Sequence, residues 1–328
     1  MRHYTAGPAF GPVHDLAEGP RWDDSRLSAS WVDISRGHVY RGRLGPDRID
    51  TADRIDFPDT VGAASPTADG GFAVAAHDRI VIVSPDGARQ ESVPLIDRAQ
   101  RLRLNDAAVD PRGRLLVGSL STDGRSGVAG LFSVDPSGAI SVLREGMNLA
   151  NGIGWSPDGS AVYVTDSVPG VVWSAAYDLD TGHAHDWAAV ITEFDGMPDG
   201  LCVDSDGCLW VAIWNGGQVR CFAPSGEALA TVSLPAPQVT AVAFVGAARD
   251  LLLITTASHK LDEPARATYP DSGRLFLAQV DAVGLPCSLW RTPRESTGWA
   301  RTCGPRSGSS SKTDPAAAHP GDSTPETG

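Results

Sequence analysis

The segment Asn151-Gly152-Ile153-Gly154-Trp155-Ser156-Pro157-Asp158-Gly159 and its later counterpart Asp199-Gly200-Leu201-Cys202-Val203-Asp204-Ser205-Asp206-Gly207 are two copies of one phrase. Each opens on a polar residue followed by glycine, runs through a few apolar residues and closes on an Asp-Gly turn. A short apolar run bounded by such a turn is the signature of a β-hairpin. The turn recurs along the chain. One series passes through Gly70, Gly113, Gly159 and Gly207, and a second through Gly87, Gly138, Gly182 and Gly226. Two hairpin turns per period of roughly 45 residues is the demand of a four-stranded propeller blade.

Eight residues before each turn of the first series stand Gly62, Asn105, Asn151 and Asp199, the starts of the innermost strands. Degraded copies of the phrase begin at Glu18 and Thr240, so the six starts are 18, 62, 105, 151, 199 and 240. No amphipathic helical pattern of ten or more residues interrupts them. The expected fold is therefore all-β: a six-bladed β-propeller with four-stranded blades and one central metal site, spanning residues 1–292. Residues 293–328 are expected to form a disordered tail. From Arg301 onward the chain is Ser, Gly, Pro, Thr and Ala, too poor in large apolar residues to offset its ordering entropy.

Composition narrows the function. The net charge is −13 and the only lysines are Lys260 and Lys312. Such a surface repels phosphate backbones, so nucleic acid is not an expected partner. No apolar stretch approaches the roughly 18 residues of a membrane span, and no signal-peptide pattern opens the chain, which leads to the expectation of a cytoplasmic protein. The five cysteines (Cys202, Cys208, Cys221, Cys287 and Cys303) form no CxxC pair. Cys202, Cys208 and Cys221 alternate with strand residues and read as small hydrophobes rather than zinc ligands. His183 and His185 sit beside an outer turn, and His77 and His259 stand alone; all four read as structural. There is no GxSxG, HExxH or phosphate loop.

In a propeller the innermost strands line the central channel, so equivalent positions converge on one axis. Glu18, Asn105, Asn151 and Asp199 bring hard oxygen donors to that axis, the environment preferred by calcium and similar cations. Asp and Asn also cap turns. Four of them in phase with the repeat is a different matter, and favours a divalent cation, catalytic or purely structural.

These residues resemble the senescence marker protein, gluconolactonase and regucalcin family of six-bladed propellers over roughly residues 13–287. The resemblance rests on Leu-Ala-Glu-Gly-Pro-Arg-Trp at 16–22, Trp-Val-Asp-Ile at 31–34, Arg-Leu-Asn-Asp at 103–106 with Val-Asp-Pro-Arg-Gly-Arg at 109–114, the phrase at 151–159, Pro-Asp-Gly-Leu-Cys-Val-Asp at 198–204 and Leu-Trp-Val-Ala-Ile-Trp-Asn-Gly-Gly at 209–217. It implies that Glu18, Asn151 and Asp199 ligate one divalent cation, calcium first, with zinc, magnesium, manganese and ferrous iron as alternatives. It also implies that Asn105 lies beside the cation and that Arg103 contacts substrate. Where the family places an acidic substrate-binding residue after a Gly-Thr-Met strand end, this chain reads Gly-Ser-Leu-Ser-Thr-Asp, making Asp123 the candidate. Residues 28–30 also lack the family's aromatic before Trp31.

The expected activity is hydrolysis of a sugar lactone to its aldonic acid by a monomer or weak homo-oligomer. Asp199 would serve as base, with a metal-bound hydroxide as the alternative. The alternatives are another metal-dependent ester or phosphotriester hydrolysis on the same scaffold, and non-catalytic calcium binding.

Overall fold

The structure, a computed structural model, describes residues 1–291 and 299–302. Six antiparallel sheets follow one another along the chain. Blade 1 holds Ala17–Asp23, Ser28–Asp33, His38–Leu44 and Ile49–Asp56, and blade 2 holds Val61–Pro66, Phe72–Ala76, Arg79–Val83 and Arg89–Glu91. Leu102–Val109, Leu115–Ser121, Ala129–Val134 and Ile140–Met147 make blade 3. Blade 4 is Ala150–Trp155, Ala161–Asp166, Val171–Tyr177 and Ala184–Ile191; blade 5 is Met197–Val203, Leu209–Trp214, Gln218–Phe222 and Ala228–Ser233. Blade 6 takes only Val239–Val245, Leu251–Thr256 and Leu275–Gln279 from the C-terminal half. The six-bladed propeller expected from the repeat is the observed fold.

Its closure comes from the N-terminus. Gly7–Phe10 completes blade 6 by pairing antiparallel with Leu275–Gln279, while Arg2–Thr5 lies parallel to Ala228–Ser233 on the rim of blade 5. One segment thus ties the last two blades to the first. The C-terminal end behaves differently from the boundary expected at residue 292. Trp299 packs edge-on against Trp290 with ring centroids 6.1 Å apart, and Ala300–Thr302 adds a fifth strand to blade 2 through Arg89–Glu91. Buried Trp299 and the short strand after it hold this part of the chain to blade 2. The remainder of the expected tail, 293–298 and 303–328, lies outside the described residues. Among the described residues no helix is long and apolar enough to cross a membrane.

All six innermost strands share one irregularity. Their pairing with the second strand shifts register between Glu18 and Arg21, Val61 and Ala63, Leu104 and Ala107, Ala150 and Ile153, Pro198 and Leu201, and Val239 and Ala241. A β-bulge bends a strand and re-aims its side chains. Here six bulges fall at the repeat starts, so the polar residues there leave the sheet pattern together. The glycine after the polar residue lets neighbouring inner strands approach: a Cβ on Gly200 would lie 2.7 Å from Ala241 Cα and 3.0 Å from Thr240 O.

Large apolar side chains fill the spaces between blades, among them Trp210 and Phe244 in edge-to-face contact at 5.8 Å. Trp31, which lacks an aromatic before it, stacks instead on its cross-strand partner Tyr40 at 5.5 Å and donates through Nε1 to His14 Nε2 at 3.0 Å. The Gly200→Ala variant is expected to lose about 1–3 kcal/mol of stability by overpacking the blade 5–blade 6 contact. Urea unfolding of both proteins measures it, and an unchanged midpoint would show that the inner strands have room to spare.

Candidate metal centre

The bulged residues meet at one end of the channel. Glu18, Asn105, Asn151 and Asp199 come from four blades, and all are buried. A chain of hydrogen bonds joins most of them. Arg103 Nη1 donates to Asn105 Oδ1 at 2.9 Å, and Asn105 Nδ2 donates to Asn151 Oδ1 at 2.9 Å and to the Ala150 carbonyl at 3.1 Å. Asn151 Nδ2 in turn donates to Asp199 Oδ1 and to Ser167 Oγ, the latter at 3.0 Å. Glu18 Oε2 accepts from the Gly19 backbone N–H at 3.1 Å. The two remaining starts complete the ring differently. Gly62 leaves space for the Asn105 backbone, and Thr240 Oγ1 donates to the Ala17 carbonyl at 2.6 Å, tying blade 6 to blade 1.

Burial dominates the electrostatics. Desolvation, with the nearby Asp106 carboxylate adding to it, pushes Glu18 up to about 8 against the partial relief of Gly19 N–H, Arg103 and Arg21. Asp199 is raised well above the carboxylate range by desolvation first, then by Glu18 and Asp106, with Arg103 opposing. Burial lowers Arg103 to about 10 despite the pull of Glu18 and Asp199. The site therefore concentrates carboxylates in a place where each disfavours the other's charge.

Such a donor set fits a hard divalent cation. Its oxygens are carboxylate and carboxamide, and the mutual repulsion of Glu18 and Asp199 is the destabilisation that a cation between them would cancel. Asn151 meets Asp199 through its N–H end here, so as a ligand it would present the opposite end of the carboxamide.

Asp123 stands apart from this cluster. It is at the exposed end of the second strand of blade 3, where its carboxylate accepts from Arg125 Nε at 2.9 Å and from the Ser121 hydroxyl. These bonds hold it at about 2, ionised and engaged locally. His185 lies on the outermost strand of blade 4 against Asp186, His77 bonds Thr60 and Asp59, and His259 bonds Asp15. None of these histidines is hydrogen-bonded to the carboxylate cluster among the described contacts.

Three site-forming residues, Asp106, Arg21 and Ser167, escaped the sequence reading. Asp106 occupies the bulge position that is glycine in blades 1, 4 and 5, and Arg21 reaches across from blade 1 to pair with it at 3.1 Å. Arg21 also donates to the carbonyls of Pro20 and Ala107. The visible signal was Asn-Asp at 105–106 where the phrase elsewhere reads Asn-Gly or Asp-Gly. Ser167, the partner of Asn151, carried no sequence signal because it sits in a turn outside the repeat phrase. A second donor cluster joins Asp204, Cys208 and Cys221, whose ligand atoms lie within 4.8 Å of one another. Asp204 is already occupied there. It accepts from the backbone N–H groups of Asp206 and Cys208 and from Trp210 Nε1, and burial raises both thiols, so the cysteines remain the packing residues their alternation implies.

A six-bladed propeller that gathers buried oxygen donors at the starts of its innermost strands defines the class of protein. The particular family follows from comparison: residues 16–258 match the SMP-30/Gluconolactonase/LRE-like region, and the chain belongs to that family. A regucalcin from Danio rerio is 32% identical over 279 residues, covering 83% of this chain and 94% of that protein. A pentonolactonase from Haloferax volcanii is 33% identical over 278 residues, covering 83% and 93% respectively. The solved structure of a calcium-binding protein, regucalcin, from Agrobacterium tumefaciens superposes with a TM-score of 0.83 at 24% identity, over 89% of this chain and 99% of that one, and supports the fold.

The carboxylate pair makes a testable demand on stability. Because the folded state raises Glu18 above its unfolded value of 4.5, this group's contribution is fully present below pH 4.5 and is lost as the pH rises toward 8. In the presence of a chelator, Glu18→Gln should therefore become progressively more stable than the parent between pH 5 and 8. Thermal unfolding at both pH values reads the difference, and a constant gap would show that Glu18 is ionised throughout.

Proposed function

We propose that this chain is a metal-dependent lactonase that opens a sugar lactone to its aldonic acid. The observation that carries the reading is the burial of Glu18 and Asp199 together, with Asp199 joined through Asn151 and Asn105 to Arg103 by one chain of hydrogen bonds. Glu18, Asn151 and Asp199 would hold the cation, calcium foremost among hard divalent ions. When bound, it supplies Lewis-acid polarisation of the lactone carbonyl. The lactonase relatives support the reaction class, and the all-oxygen donor set supports the cation.

The chain's own groups account for the rest. Arg103, held by its bond to Asn105, offers a fixed guanidinium for substrate oxygens, and the Asn105 carboxamide sits between it and the cation ligands. Water adds to the carbonyl carbon while Asp199, through a carboxylate oxygen left free of the cation, takes the proton. The ring C–O bond then breaks, the ring oxygen recovers that proton as a hydroxyl, and the carbonyl carbon leaves as the carboxylic acid. Asp123, on the exposed edge of blade 3, would meet a distal hydroxyl if it exchanges its bond to Arg125.

A pH-indicator assay of the chelator-stripped protein against pentonic and hexonic lactones, with one divalent ion restored at a time, tests the whole reading. Acid release is expected only with the ion present. Asp199→Asn should lower kcat by about 10²–10⁴-fold, and cation titration of the same variant separates a lost base from a lost ligand. Absence of ion-dependent release from every lactone, with the ion demonstrably bound, overturns the lactonase reading in favour of phosphotriester hydrolysis or calcium binding without catalysis.

A further inference from the structure

The inner strands that carry the carboxylates at their starts end in apolar residues. Trp22, Val109, Trp155, Val203 and Phe244, from five blades, line a cavity of about 390 Å³ at the opposite end of the channel. That is the size of a small-molecule site, and far more than the few water-sized voids of a packed interior. Asn151 and Trp155 are four residues apart on one strand, so the two ends are separated by roughly 13 Å. The Arg21–Asp106 pair stands between them: Arg21 also lines the cavity, while Asp106 acts electrostatically on Glu18.

A strap closes this end. Ser205 N–H donates to the Val283 carbonyl and Gly284 N–H to the Arg249 carbonyl at the base of blades 5 and 6. At its other end, Trp290 exchanges backbone hydrogen bonds with Pro66 and Ala68 of blade 2. Between these anchors Leu285 and Cys287 form the cavity's outer wall. The strap lies beyond the region 16–258 that matches the family.

Two lining residues carry polar groups without a partner. Trp155 Nε1 and Ser65 Oγ have no hydrogen-bond partner among the described residues, although Trp155 is only 8% exposed and Ser65 2%. Both atoms are covered in the cavity wall as it stands, and since a buried donor without an acceptor is costly, an acceptor gains there once the side chain turns toward it. The arginine, by contrast, is already committed to Asp106 and two backbone carbonyls, leaving no surplus charge to recruit an anion.

We propose that the base of the channel is a second ligand site, for an uncharged and largely apolar small molecule carrying a hydrogen-bond acceptor. Its volume admits on the order of fifteen non-hydrogen atoms at ordinary packing. Aromatic walls favour a flat ring system, and the acceptor addresses Trp155 or Ser65 after a small side-chain adjustment. A sugar lactone, hydroxylated on every face, is unsuited to it, so the two ends of the channel take different ligands.

The probe is 6-propionyl-2-(dimethylamino)naphthalene, a neutral naphthalene with one carbonyl acceptor whose emission moves to the blue in apolar surroundings. Titrated into the full-length, cation-loaded protein, it should show one saturable blue-shifted site per chain. Ala243→Phe, which fills the cavity from blade 6, should weaken binding at least tenfold, with Ala108→Leu on the opposite wall as the alternative if the first variant does not fold. Trp155→Phe keeps the ring and removes the N–H, and should weaken binding roughly threefold to tenfold. Lack of saturable binding overturns the proposal, as does undiminished binding to a folded filling variant or competition by the aldonolactones. Because fluorescence and not turnover is read, failure here leaves the lactonase reading untouched.

Discussion

Two carboxylates, Glu18 and Asp199, are buried together at one end of the channel, and the arrangement around them answers the cost of that burial. Desolvation raises both above their ordinary values, helped by Asp106 at Glu18 and by Glu18 and Asp106 at Asp199. Arg103 is the cation that acts on both, and its own burial weakens it. Asn151 connects Asp199 to Asn105 and Ser167, so the acidic groups are held by neutral amides and a hydroxyl rather than by further charge. Buried like charges without a counter-ion are unfavourable unless function requires them. A hard divalent cation resolves the conflict with the residues already present.

The propeller makes such a meeting possible because each blade contributes one residue at the same height. A regular strand would send alternate side chains above and below its own sheet. The bulge at every repeat start breaks that alternation, and glycines such as Gly200 remove the Cβ that would hold neighbouring strands apart. The same strands then continue as β buried on both faces between neighbouring blades, which is why the far end is apolar. One set of six strands thus produces a polar end and an apolar end, divided by the Arg21–Asp106 pair.

Membership of the SMP-30/Gluconolactonase/LRE-like family covers residues 16–258, the part of the chain that carries the oxygen donors. The segments that close the molecule lie outside it. Gly7–Phe10 completes the last blade, and residues 284–290 cross the base to reach blade 2. These flanking segments alter the base of the propeller while leaving the carboxylate end to the six repeats.

The sequence by itself determined the number of blades, the height of the polar ring and the identities of Glu18, Asn105, Asn151 and Asp199, because a repeat converts position in the chain directly into position around an axis. Composition set the expected boundary at residue 292, whereas Trp299 and the short strand after it return to blade 2. Only the tertiary structure decided the contacts that cross between blades. Arg21 with Asp106, Asn151 with Ser167 and the strap over the apolar cavity depend on side-chain reach between residues from different elements, which no local pattern encodes. The same holds for Asp123, whose place in the motif pointed to substrate, while its side chain lies in a local network with Arg125. Periodicity specifies what converges on the axis; packing across the channel specifies what each residue touches there.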